Sequence, residues 1–262
     1  MTKTISIANQ KGGVGKTTTA ITMAAILKSK GFNVLLIDTD AQCNSSMIYG
    51  AQIEDEATLF DVILAKNTID AGEAIQKTEK GDIIPSDFLL RNADITLKGD
   101  VLKFKNKIDE IKKLSKYDYI IIDTNPALNS LLYSALVASD DVIIPVEPAK
   151  SSIEGLVQLR ETTEAVRENE NKDLKIAGIL ITKFNERTRL GVAARDTFKI
   201  AAEHFNTILF STEIRRSQKV PDAEADDMTL IEYAKGSTSA VDYVSFVEEY
   251  LKLEEKHGDQ TK

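Results

Sequence analysis

One cysteine, Cys43, stands in 262 residues. A single thiol closes no intramolecular disulfide, and no metal-ligand partner accompanies it at a usable spacing. A disulfide scaffold is therefore excluded, and a reducing compartment is the expected home. Apolar runs of membrane-crossing length, roughly 20 residues, are missing. Basic residues are in the minority, 33 Lys plus Arg against 41 Asp plus Glu, for a net charge of −8. That argues against a wholly basic nucleic-acid module but leaves room for a local basic face. No internal repeat and no glycine- or proline-rich linker divides the chain. One domain over residues 1–256 is expected, followed by a polar tail over 257–262. The opening Met1-Thr2-Lys3-Thr4 enters a strand directly, so no signal peptide is expected. A hydrophobic share of 42% suffices for a sizeable core in a chain of this length.

The informative stretch is Asn9-Gln10-Lys11-Gly12-Gly13-Val14-Gly15-Lys16-Thr17-Thr18. An apolar run, Ile5-Ser6-Ile7-Ala8, precedes it and reads as a buried strand. Thr17 to Lys30 follows with helical periodicity, stopped by Gly31. Glycines let the backbone curl its N–H groups toward one anion, and the helix aims its positive end at the same place. Lys16 adds a full charge, and the Thr17 hydroxyl suits the magnesium that accompanies a triphosphate. This is a phosphate-binding loop. Gln10 stands where the common G-x-x-x-x-G-K-[ST] pattern has its first glycine, so the strict pattern fails.

Two further apolar strands end in acids. Asn33 to Asp38 leads into Thr39-Asp40, and Tyr117 to Asp123 ends in the manner of a Walker B acid. Strands apolar throughout belong inside a parallel sheet covered on both faces, with chemistry at their carboxyl ends. Strands are also expected at 82–86, 141–146, 175–182 and 206–210. Helices are expected at 59–64 with Thr58 as cap, and at 89–97, 98–114 and 128–138. Another covers 151–170, capped near Ser151 and Ser152 with Glu154 in its first turn. A last helix, 239–256, is expected to turn Val241, Val244, Val247 and Leu251 to the core. The alternation predicts an α/β fold, a doubly wound, mostly parallel sheet with helices on both faces.

K-G-G-V-G-K-T-T resembles the deviant phosphate loop of the ParA/MinD family of ATPases. Asp38-Thr39-Asp40-Ala41-Gln42 is similar to that family's D-x-D-P-Q segment, with alanine for proline. The resemblance covers about Lys3 to Leu253. It implies ATP and Mg2+ as cofactors, bound by Lys11, Gly12, Gly13, Val14, Gly15, Lys16, Thr17 and Thr18. Thr17, Asp38 and Asp123 would serve the metal, and Asp40 would position the attacking water. Lys11 would reach across an ATP-dependent homodimer to the partner's phosphates. The segments 183–191 and 211–219 resemble those with which ParA proteins grip nonspecific DNA, here through Arg187, Arg189, Arg215, Arg216 and Lys219. Phosphate contacts of that kind ignore base identity. The family's adenine-contacting proline and asparagine fall at Ser211 and Glu213, and neither matches.

The leading expectation is a cytoplasmic, nucleoid-associated ParA-type ATPase for plasmid or chromosome partition, stimulated by a ParB-like centromere-binding protein. Small partition proteins of this type lack an N-terminal sequence-specific DNA-binding domain, and no operator binding is expected. A MinD-like positioning ATPase would end in a basic amphipathic helix, whereas this terminus is acidic, so no membrane partner is expected. An iron protein of the same fold would need more cysteines. A small-molecule ATP-dependent ligase and a nucleotide-gated adaptor stay open as alternatives.

Overall fold

The computed structural model describes residues 2–97, 99–149 and 152–259. Seven strands form one sheet: β1 (Lys3–Ile7), β2 (Val34–Asp38), β3 (Gln76–Lys77), β4 (Asp82–Ile84), β5 (Tyr119–Asp123), β6 (Asp141–Val146) and β7 (Lys175–Ile181). Their spatial order is β3-β4-β2-β5-β1-β6-β7. All pairings are parallel except β3 with β4. The helices are α1 (Lys16–Ser29), α2 (Asn44–Tyr49), α3 (Leu59–Ile63), α4 (Ala93–Leu97), α5 (Leu102–Lys113) and α6 (Ser130–Val137). After them come α7 (Ser152–Asn169), α8 (Arg189–His204), α9 (Lys219–Ala225), α10 (Leu230–Ala234) and α11 (Thr238–Asp259).

Alternate residues of a strand face opposite sides of a sheet. Leu36 accordingly packs with α1 and α11, while Leu35 and Ile37 pack with α3 and α5. A third cluster joins β6 and β7 to α6, α7 and α8. β1 runs between β5 and β6, and the chain changes direction across the sheet there. The carboxyl ends of β1, β2 and β5 therefore meet at one crevice, with Asp38 level with Asp123 and Ile7 level with Asp123.

Several expectations are corrected. Residues 206–210 form no strand; Leu209 makes a single bridge to Ile179. The Phe210 ring sits over Gly178, and the next two backbone N–H groups, Ser211 and Thr212, donate to the Glu249 carboxylate of α11 instead of to a ladder. The 89–97 segment is a 3₁₀ turn, Phe88–Asn92, followed by α4, and α5 starts only at Leu102. Lys98 lies outside the described residues, as does Ser151 of the expected cap. Glu154 is in the first turn of α7 as expected.

α11 turns its expected face inward in part, with Val244 and Leu251 packed against the core. Val247 is buried, but Val241 is 50% exposed, and the inward face is Ala240, Tyr243, Phe246, Val247 and Tyr250. Two tyrosine hydroxyls find partners there: Tyr243 with Thr19 Oγ1 at 3.0 Å, and Tyr250 donating to Asp141 at 2.8 Å. Large rings whose polar tips are satisfied bury more surface than valines, and they set the rotation. The helix continues to Asp259, past the expected start of the tail at His257. Residues 260–262 lie outside the described set.

Candidate nucleotide site

Residues 8–15 link β1 to α1 and bend where Gly13 (φ 74°) and Gly15 (φ 86°) take left-handed conformations that side chains disfavour. A Cβ built on Gly12 or Gly13 meets nothing within 4 Å, so the loop's concave side is open. The loop is fixed from outside. Asn9 Nδ2 donates to Pro145 O at 2.7 Å, and its Oδ1 accepts from Lys11 N at 2.9 Å. Thr182 Oγ1 donates to Val14 O at 2.8 Å, and Lys183 Nζ to Gly13 O at 2.5 Å. α1 has no side-chain cap and no acid in its first turn. Its positive end is thus left for an anion.

Lys16 is buried, and its Nζ donates to Lys11 O at 3.2 Å. Burial pushes this ammonium below the usual lysine range, opposed by the carboxylates of Asp123 and Asp40. A phosphate would replace the lost hydration. Thr18 Oγ1 donates to Glu224 Oε1 at 2.6 Å, tying α1 to α9.

Asp38 and Asp123 end adjacent strands and are fully buried. Asp38 Oδ2 accepts from Ser46 N at 2.9 Å and Ser46 Oγ at 2.7 Å, and its Oδ1 accepts from Asp40 N at 3.0 Å. Ser45 Oγ donates to Asp123 Oδ2 at 2.7 Å. Both carboxyls are pushed up. For Asp38 burial is the main cause, followed by the charge of Asp123. For Asp123 burial again leads, and Ser45, Thr17 and Lys16 oppose it. Asp123 Oδ1 is buried with no hydrogen-bond partner among the described residues. An unpaired buried carboxylate oxygen is costly by itself, and it fits the water shell of a hard cation. Among the described residues no three His, Cys, Asp or Glu side chains converge into a metal cage. Magnesium suits such a site, because it keeps waters and takes substrate phosphates as ligands. Asp40 lies nearer the solvent on the cleft wall, its Oδ1 accepting from Gln42 N at 3.0 Å.

The loop opens into a cleft of about 470 Å³. It is also lined by Met47 and Ile48 of α2 and by Val220, Pro221 and Asp227 at α9. The helices α2, α8, α9 and α10 were not foreseen from the sequence. α2 and α9 are seven residues or fewer, too short to show a period, and only tertiary contact reveals them as walls. Ser211 and Glu213 do not line this cleft. Ser211 N bonds Glu249, and Glu213 pairs with Arg195.

Lys11 stands at the rim with its ammonium on Glu147, 2.8 Å away. Of the five basic residues singled out in the two flanking segments, Arg215 and Arg216 line the cleft itself. Arg187 and Arg189 are exposed at the start of α8. The two segments are zipped together: Phe184 N donates to Ile214 O and Arg216 N to Phe184 O, each at 2.9 Å. Arg215 forms a two-pronged pair with Asp242, with Nη2–Oδ1 at 2.6 Å and Nε–Oδ2 at 2.9 Å. Lys219 lies over the Tyr233 ring.

A strand, a glycine loop and a helix around Lys16 and Thr17, with two buried acids on the neighbouring strand ends, define a P-loop nucleotide hydrolase. Residues 2–176 match the model of an AAA domain. The chain is 36% identical over 255 residues to the sporulation initiation inhibitor protein Soj of Bacillus subtilis, covering 95% of this chain and 98% of Soj. It is 32% identical to the chromosome partitioning protein ParA of Caulobacter vibrioides, covering 96% and 95%. Among solved structures it is similar to the septum site-determining protein MinD of Pyrococcus horikoshii complexed with Mg-ADP, at 25% identity, TM-score 0.76 and 97% coverage of each chain. It is also similar to cobyrinic acid a,c-diamide synthase of Mycobacterium smegmatis with bound ADP and magnesium, at 27% identity and TM-score 0.78, covering 95% and 93%. The chain belongs to the ParA/MinD family of P-loop ATPases.

Proposed function

We propose that this chain, acting as one domain over residues 1–256, is a ParA-type partition ATPase. Lys16 and the N–H groups of Gly12 to Thr18 hold the phosphates of ATP. Thr17, Asp38 and Asp123 hold magnesium, which neutralises phosphate charge when bound. Asp40 orients the attacking water. Two copies close face to face, and Lys11 leaves Glu147 to reach the partner's nucleotide. The closed pair binds DNA through Arg187, Arg189, Arg215, Arg216 and Lys219 without reading sequence, and a ParB-like protein stimulates hydrolysis and release. The protein then resides in the cytoplasm on the nucleoid.

One observation carries this reading: Arg215 and Arg216 line the same cleft as the phosphate loop. A change of nucleotide there moves groups that also face DNA phosphates. The partitioning role of the Caulobacter relative agrees with it. The diamide synthase neighbour keeps a small-molecule ligase as the second reading.

DNA binding separates the two. On random-sequence DNA, the partition reading expects retention with ATP, a steep loss with rising salt, and a large loss on Arg216→Ala. Arg216 is the cleaner probe, because Arg215→Ala also removes the guanidinium paired with Asp242, leaving that carboxylate only the backbone N–H of residue 215. Equal binding with ATP, ADP and no nucleotide contradicts the reading.

A further inference from the structure

The acid proposed to orient the attacking water is held by more than its own loop. Asp40 lies just past the end of β2, and its backbone N–H donates to Asp38 Oδ1 at 3.0 Å. Its carbonyl accepts twice, from Cys43 N at 2.8 Å and from Ser86 Oγ at 2.7 Å. The Cys43 bond is local to the turn. The Ser86 bond reaches in from another strand: β4 lies beside β2 with Ile84 level with Ile37, and Ser86 follows shortly after Ile84. Pro85 between them is held too, its carbonyl accepting from Leu59 N at 2.8 Å. Ser86 is fully buried, as is Ser46. Ser86 N donates to Ser46 Oγ at 2.9 Å, and Ser46 Oγ donates to Asp38 Oδ2 at 2.7 Å. Asp38, Ser46, Ser86 and Asp40 thus form a closed ring of hydrogen bonds between the ends of β2 and β4.

That ring fixes a direction. Peptide units are planar, so each residue has only φ and ψ free. The N–H bond to Asp38 pins the peptide plane before Asp40, and the two bonds to its carbonyl pin the plane after it. With both planes set, the direction of the Asp40 Cα–Cβ bond is set as well. Only the side-chain torsions stay free, and Gln42 N, donating to Oδ1 at 3.0 Å, restrains those. Asp40 lines the cleft and Ser86 does not, so the hydroxyl of Ser86 bears on the cleft through Asp40.

We infer that Ser86 is a positioning residue for ATP hydrolysis: its hydroxyl aims the Asp40 carboxylate. The inference rests on the reading of Asp40 as the group that orients water. Ser86→Ala removes the hydroxyl and keeps the backbone N–H that serves Ser46. The test is phosphate release over a range of Mg-ATP by full-length wild type, S86A, D40A and the double variant, with calorimetric titration of each by Mg-ADP. S86A should lower kcat about fivefold, the size expected of one neutral hydrogen bond, with KM unchanged. Added to D40A, the same substitution should change kcat no further, because no carboxylate is left to aim. Mg-ADP affinity should stay at the wild-type value throughout. An unchanged kcat in S86A, an equal drop in both backgrounds, or weakened Mg-ADP binding by S86A makes Ser86 a structural residue and overturns the inference. Wild-type phosphate release by D40A would instead sink the reading of Asp40 itself, and the inference with it.

Discussion

At the scale of single residues the buried acids decide how this site responds to pH. Asp38 and Asp123 are neighbours in register, both fully buried, and both pushed up from the ordinary carboxylate range. A folded-state value above the unfolded one means that the unfolded chain gives up its proton first. Stability without nucleotide therefore falls as pH rises from about 4, the unfolded value, to about 7, the folded value of Asp38. Asp123→Asn keeps an oxygen for Ser45, removes one buried charge, and relieves one cause of the shift at Asp38. At pH 8 the nucleotide-free variant should be more stable than wild type by about 2 kcal/mol, or about 5 °C in melting temperature. The gap should narrow as pH falls and close only below about pH 4, the unfolded value, and Mg-ATP should no longer stabilise the variant. Equal melting temperatures at pH 8 would show that the pair is not strained by its charge.

At the scale of elements, local chemistry and tertiary packing were unequally legible. β1, β2 and β5 could be read from their apolar runs, and the phosphate loop from its glycines and Lys16-Thr17, because each signal lies within a few consecutive residues. Thr58 stands at the N-cap of α3 as expected, with Asp61 accepting from its N–H at 3.0 Å. The last helix was legible in existence and in much of its inward face, Val244, Val247 and Leu251, but not in its tyrosines or in the exposure of Val241. A valine stripe competes there with Tyr243, Phe246 and Tyr250, and only the positions of Thr19 and Asp141 across the fold choose between the two faces. The missing strand at 206–210 has the same origin. Phe210 meets Phe246 edge-on at 4.9 Å and covers Gly178, a contact invisible in either local sequence. A Cβ at 178 would lie 2.5 Å from the Phe210 ring. Gly178→Ala should cost about 1–3 kcal/mol through overpacking, read as a lower urea midpoint with unchanged slope. An unchanged midpoint would mean that the segment after α8 is only loosely seated on β7.

At the scale of the whole molecule, the chain presents a rim rather than a closed site. Lys11 leans on Glu147, the loop beneath it is open, and the exposed Arg187 and Arg189 follow Lys183, which bonds the loop at Gly13 O. This layout suits a switch whose closed form contains two chains. Asp40→Ala removes the proposed water-orienting carboxylate. Phosphate release should then fall by at least about a hundredfold if general-base positioning is lost. Among the described residues Asp40 neither bonds Lys16 nor caps α1, so nucleotide binding should persist. That variant makes the central claim measurable without turnover. Its molar mass in solution, by light scattering with ATP and Mg2+ at micromolar protein, should be that of a dimer, and that of a monomer with ADP or when Lys11→Ala is added. A D40A protein that binds ATP and remains monomeric would contradict the account.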